Sequence, residues 1–320
     1  MGYLYALTAA LLFGTGGSVI KVILGAGFSP AQITLFRVMG TAVIAGMFLL
    51  LSDRRAIKVS WRQLAVLAGL GVAGVAVLQF TYAIAITRLP VGITLLLEYL
   101  AVLMVALVAF FAFKEKVKAR LWIAIGCVLI GLAFVAQVWD SHLDPIGVLI
   151  ALSAAVCLTI YFLVGERVVS RTSPMAVTFW TMTSATVFWL IFSGWWEIDP
   201  KIFTTAVPLT GNLSTISVQF WTLLAWAVLL GSFVPYLLEF LALQRLTATA
   251  AGIVASAEVV FAFAVAWLWL GEGLNLIQTM GAAVVLIGIV LAQTARADKV
   301  VNADLALVDT SSIPLPLATP

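Results

Sequence analysis

A chain of 320 residues that is 63% hydrophobic and 10% charged, with a mean hydropathy of +1.17, carries too much apolar surface for a soluble globule and reads as an integral membrane protein. A net charge of +3 on that background excludes a nucleic-acid surface. One His and two Cys leave no material for a metal centre or a disulfide framework, and no cofactor is expected.

About 20 apolar residues cross a bilayer. Ten such stretches run along the chain, at 3–26, 30–51, 61–86, 90–113, 120–139, 146–168, 174–195, 218–244, 247–270 and 275–295. The expected fold class is an all-α integral membrane protein of ten transmembrane helices, built as two inverted five-helix repeats. The stretches are too long for barrel strands. Met1-Gly2-Tyr3-Leu4 has no basic segment, so the first stretch is expected to remain a span and not a cleaved signal. Cys127 and Cys157 read as small packing residues.

Ionisable groups inside spans cost roughly 2.5–3.5 kcal/mol each at mid-helix, so each one asks for a role. In chain order, helix 1 carries Lys21 on a face with Gly14, Gly17 and Ser18. Helix 2 opens at Ser29-Pro30 and places Arg37 about 10 Å below that end, with Thr34 and Thr41 on its face. Helix 3 offers Gln79 and Tyr82. Helix 4, after Pro90, holds Glu98 about 12 Å deep, one turn beyond Thr94. Helices 6 and 7 add milder polar stripes, Ser153-Cys157-Tyr161 and Thr178-Thr181-Ser184, with Trp180 on the second. Ser232, Tyr236 and Glu239 share a face of helix 8, kinked at Pro235, and Glu239 reads as interfacial. Glu258 lies near the middle of helix 9, where Ala248, Gly252 and Ser256 allow close helix contact. His142 sits between Asp140 and Asp144 in a short loop and reads as solvated.

The two halves echo each other. Ser29-Pro30 and Ser173-Pro174 each open a helix with Pro in its first turn. Arg88-Leu89 precedes Glu115 by the same interval that separates Arg245-Leu246 from Glu272, and Gly131 matches Gly288. The expected domains are therefore 1–140 and 141–296, one five-helix repeat each, followed by a disordered cytoplasmic tail over 297–320. Arg54, Arg55, Lys58, Arg62, the Lys114–Arg120 run, Arg167, Arg171, Arg245, Arg296 and Lys299 fall on one side, against Arg88 and Lys201 on the other. The positive-inside rule then places both termini in the cytoplasm, in a cell membrane. The echo does not extend to charge: Glu98 aligns with Ala255 and Glu258 with Ala101.

Arg37, Glu98 and Lys21 share a depth, and two cations with one carboxylate suit an amino acid. A structural ion pair between Arg37 and Glu98, and snorkelling of Lys21 to the interface, are the competing readings. Thr34, Gln79, Tyr82 and Trp180 complete the expected substrate-binding set. Glu258, without a fixed partner in its half, and Glu98 are candidates for proton coupling.

Phe13-Gly14 with Lys21, Ser29-Pro30 with Arg37, Leu97-Glu98-Tyr99-Leu100, Ala257-Glu258-Val259-Val260 and Leu270-Gly271-Glu272 occur in one order. As a set they resemble the EamA-type members of the drug/metabolite transporter superfamily. Leu89-Pro90-Val91-Gly92-Ile93 through Glu98 is similar to the threonine/homoserine exporter branch. The chain departs from the pattern where Phe13 replaces a Trp and where no Pro follows Glu98 or Glu258. The resemblance implies a secondary transporter that exports amino acids or related small metabolites by alternating access. Its partners would be a small solute, the lipid bilayer and protons, and a monomer would suffice. Transport of other metabolites or amphipathic toxic compounds, a channel, and an intramembrane lipid enzyme are the alternatives. No enzymatic role is expected.

Overall fold

The computed structural model describes residues 1–52, 54–111, 120–136, 143–170, 172–246, 251 and 254–295. Helix α1 spans Gly2–Gly25, α2 Pro30–Ser52, α3 Trp61–Arg88, α4 Val91–Glu98, α5 Ala101–Phe111 and α6 Arg120–Ala136. Then follow α7 Pro145–Val169, α8 Pro174–Phe192, α9 Phe220–Leu243, α10 Ala257–Val265 and α11 Leu276–Ala295. Glu115, Lys114, Lys116, Lys118, His142, Ala248, Gly252, Arg171 and the tail 297–320 lie outside the described residues.

The starts are written in the sequence. Ser29 Oγ accepts from Gln32 N at 3.1 Å while Gln32 Oε1 accepts from Ser29 N at 2.9 Å, a capping box ahead of Pro30. Ser60 and Gln63 form a second box at the head of α3. Asp144 and Ser173 cap α7 and α8, and each is followed by Pro.

The expected count of ten spans is corrected by the backbone. Among the described residues, six helices are long and apolar enough to cross a membrane: α1, α2, α3, α7, α8 and α9. Four further apolar helices are shorter, at Val91–Val105, Trp122–Val135, Ala257–Leu270 and Leu276–Leu291. Two of them carry a break that hydropathy does not register, and the one at Ser256 sets where Ala257–Leu270 begins. The helix stops at Glu98, turns through Tyr99–Leu100 and restarts at Ala101. A turn at Ser256 likewise precedes α10. The protein is thus an all-α, multi-span membrane protein with six such helices among the described residues, in place of the expected ten.

Two packing features frame the centre. The helices α6 and α11 pack along each other at glycines: a Cβ at Gly131 would sit 2.8 Å from Gly281 O, and one at Gly281 would sit 2.8 Å from Gly131 O. At the end of the bundle carrying Lys21, Phe28, Phe36, Phe203 and Phe220 form a ring cluster with centroids 4.8–6.1 Å apart. It ties the α1–α2 turn to the segment between α8 and α9. That segment includes a two-stranded antiparallel hairpin, β1 Ala206–Pro208 and β2 Ser217–Gln219, with Val207 opposite Val218. Asn212 at its tip donates Nδ2 to the carbonyls of Trp267 and Leu268, beside the π-helical turn Ala266–Leu270.

Replacing Gly281 by Val is expected to lower stability by about 1–3 kcal/mol through overpacking against the α6 backbone; thermal unfolding in detergent would read it. At the same end of the bundle as Lys21, Arg88 Nη1 lies 2.8 Å from Asp144 Oδ2. The hydrogen bond from Arg88 holds the exposed Asp144 carboxyl below its ordinary range, helped by the Ile146 N–H. A depressed carboxyl stabilises the fold above its ordinary value, and the contribution fades as pH falls through the depressed one. Asp144→Asn should therefore remove that part of the acid sensitivity, and not alter the alkaline limb of a stability–pH curve.

Candidate functional site

Arg37 is 5% exposed in the middle of α2, and its anchorage comes from a defect in α9. Pro235 has no N–H to give to the carbonyl four residues earlier, which is Gly231 O. Residues Leu229–Phe233 are wound as a π-turn just ahead of it. Arg37 Nη2 donates to that freed Gly231 O at 2.8 Å, and Nε donates to Ser232 Oγ at 2.9 Å. Nη1 makes no hydrogen bond to the described residues. No carboxylate among them is within ion-pair reach of Arg37, so the expected alternative of an Arg37–Glu98 pair is not what holds it.

Around this guanidinium lies a cavity of ≈ 60 Å³ whose lining includes Phe13, Gln79, Tyr82, Glu98, Tyr99, Tyr161, Tyr236, Glu239 and Glu258. One water needs roughly 10–15 Å³ by this measure, so the space holds a few. Glycine at 17 is required here, since a Cβ would overlap Tyr82 Oη. Each carboxylate is held differently. Glu258, in the first turn of α10 where the helix dipole favours negative charge, accepts from Tyr99 Oη at 2.7 Å. Glu239 accepts from Tyr161 Oη at 3.2 Å. Glu98 is the last residue before the α4–α5 break, and its buried Oε2 has no hydrogen-bond partner among the described residues. Gln79 donates Nε2 to Tyr236 Oη at 3.2 Å, and its Oε1 is likewise unpartnered. A smaller void of ≈ 10 Å³ touches Glu239, Glu258 and Tyr99 from the other side and continues along Ala10, Ala9 and Ala6 of α1.

The structure thus brings Arg37, Gln79, Tyr82, Glu98 and Glu258 to one space, and leaves three expected residues elsewhere. Lys21 pairs with Glu272, whose other oxygen accepts the Val91 N–H at 2.8 Å and so caps α4. Thr34 returns its hydroxyl to Pro30 O at 2.7 Å. Trp180 donates Nε1 to Ile57 O at 3.0 Å, toward the opposite end of the bundle. Two expectations change. Glu239 is not interfacial but 8% exposed on the cavity wall, and Glu258 does have a fixed partner, Tyr99. Tyr99 and Phe13 complete the wall without having been singled out for it. The signal for Tyr99 was its place beside Glu98 at a helix break.

A small polar cavity between apolar helices, lined by three carboxylates of which two accept from tyrosines, marks an all-α, multi-span membrane protein. The chain belongs to the EamA-like transporter family, whose pattern matches residues 1–137 and 145–294. It is accordingly a member of a transporter family and not of an enzyme family, consistent with a small-molecule solute and the bilayer as its partners. The threonine/homoserine exporter RhtA of Salmonella typhimurium (strain SL1344) is 25% identical over 288 residues, 88% of this chain and 88% of that one. The threonine/homoserine exporter RhtA of Escherichia coli (strain K12) is 26% identical over 214 residues, 65% and 64% of the two chains. A protein of known crystal structure shares the fold at TM-score 0.64 with 16% identity, over 91% of this chain and 96% of its own.

Ser232→Ala removes a hydrogen bond to a buried cation and should cost about 1.5–3 kcal/mol. A lowered unfolding temperature in detergent, with Ser232→Thr close to the parent, is the expected pattern.

Proposed function

We propose that this chain is a secondary active carrier that exports amino acids or closely related small metabolites across the cell membrane, with both termini in the cytoplasm. The observation that carries the reading is the presence of two incompletely bonded groups of opposite charge on the wall of one cavity. Among the described residues, no hydrogen bond is made by Arg37 Nη1 or Glu98 Oε2, so together they complement the carboxylate and ammonium of a zwitterion. The exporters named above, similar along most of the chain, support the same substrate class. A space of ≈ 60 Å³ is small beside the roughly 300–1,000 Å³ of ordinary ligand sites. The solute therefore enters when the halves, 1–140 and 141–296, move apart toward one side and then the other.

Glu258 and Glu98 are the proton-coupling candidates, and Glu239 joins them because it and Glu258 border both the cavity and the alanine-lined void. The end bearing Arg54, Arg55, Lys58, Arg62 and Arg245 would face the cytoplasm. A second reading, transport of aromatic or amphipathic compounds, is favoured by the Phe13, Tyr82, Tyr99, Tyr161 and Tyr236 rings on the wall.

Release of amino acids from loaded cells, profiled by mass spectrometry, tests the proposal. Faster efflux of a few amino acids is expected, falling roughly 10- to 100-fold in Arg37→Ala and in Glu98→Gln as charge-assisted contacts are lost. Equal membrane levels must be shown, with Ser232→Ala as the control for the anchoring of Arg37. No change in any amino acid would sink the substrate class and turn the search to the aromatic reading. Efflux that persists in both variants would leave a carrier whose charges are structural.

A further inference from the structure

A second cavity, of ≈ 520 Å³, lies away from the central one, between the start of α3 and the end of α7. Its wall has two chemistries. Arg62, Arg167 and Thr172 supply cationic and hydroxyl donors, while Val66, Val164 and Val168 supply an apolar strip. The N-terminus of α3 opens here, capped by Ser60, and its partial positive charge adds to that of the arginines. We infer that this groove binds the phosphate headgroup of an anionic glycerophospholipid, with an acyl chain laid along the valines.

The reasoning is chemical. Two guanidinium groups at the ends of membrane-crossing helices match a phosphate, and basic pockets between such helices take anionic headgroups. A soluble phosphate would make use of the arginines alone. The apolar strip that continues from them, with Val66 48% exposed and Val164 and Val168 half-buried, matches a ligand that is anionic at one end and hydrocarbon at the other. The volume suits a headgroup and the first part of a chain. None of these residues belongs to the central cavity, so the inference stands apart from the transport reading.

The test uses the purified full chain in neutral detergent, read by native mass spectrometry and thermal unfolding. The probes are phosphatidylglycerol, phosphatidylcholine and free glycerol 3-phosphate. Phosphatidylglycerol should stay bound and raise the unfolding temperature, with neither effect from the other two. The double variant Arg62→Ala/Arg167→Ala should bind it about tenfold more weakly or worse, ~1.4 kcal/mol, with the lipid-induced rise read against the variant's own unfolding temperature in detergent alone. Val164→Trp keeps both arginines and fills the strip. It should weaken binding similarly, and it decides the matter if the double variant does not fold. Equal retention of the two lipids, or unchanged phosphatidylglycerol binding in the variants, would overturn the site. Equally tight binding of glycerol 3-phosphate would overturn the lipid and leave a site for soluble phosphates.

Discussion

A guanidinium buried among apolar helices has no water to satisfy it and must take its partners from the protein. Arg37 does so by occupying the flaw that Pro235 leaves in α9. One carbonyl freed from the helix and one hydroxyl beside it hold Nη2 and Nε, and the position of everything around them follows. Helices α2 and α9 are fastened together at mid-depth. Tyr236, one residue past the proline, is directed at Gln79 and at the ring of Phe13, 4.9 Å away. The third guanidinium nitrogen is left over. The charge is thus fixed by neutral dipoles, which place it without neutralising it.

Three carboxylates share the chamber with that single cation, and tyrosines ration the hydrogen bonds among them. Glu239 and Glu258 each receive one phenol. Glu98 Oε2 receives none. An unsatisfied buried acceptor costs about 1–3 kcal/mol, more if it is charged, and a fold under no other demand would have closed the gap with a small polar side chain. Among the described residues, the wall is bonded at Glu239 and Glu258 and unsatisfied at Glu98 Oε2 and Gln79 Oε1.

Much of this could be read from the residues alone, because an ionisable group in an apolar span stands out against its surroundings. Arg37, Glu98 and Glu258 were visible for that reason, and Gln79 and Tyr82 by their spacing of three on one helix face. What failed did so for identifiable causes. The partner of Lys21 is Glu272, 251 residues on, and such pairings leave no local trace. Trp180 carries no directional signal, since an aromatic ring suits lipid, packing and cavity equally. Glu239 sits close to a helix end in sequence, but its burial is set by Tyr161 on another helix. Hydropathy also passed over the interruptions at 99–100 and 256, because it sums side chains and these are events of the backbone.

Those interruptions have a mechanical meaning. They lie 157 positions apart when Tyr99 is set against Ser256, the same interval that separates Arg88 from Arg245. A continuous helix transmits a push along its length almost undiminished, because its hydrogen bonds form an unbroken ladder. At Tyr99–Leu100 the ladder persists but tightens locally, with Leu100 N donating to Leu97 O and Val102 N to Tyr99 O, three residues back in each case. The stretch from Val91 to Glu98 is clamped at its far tip by Glu272, and Ala101 onward is steadied by Thr159, whose hydroxyl donates to the Ala101 carbonyl at 3.3 Å. The turn beside Glu98 is thus a local weak point in that ladder, held from both sides.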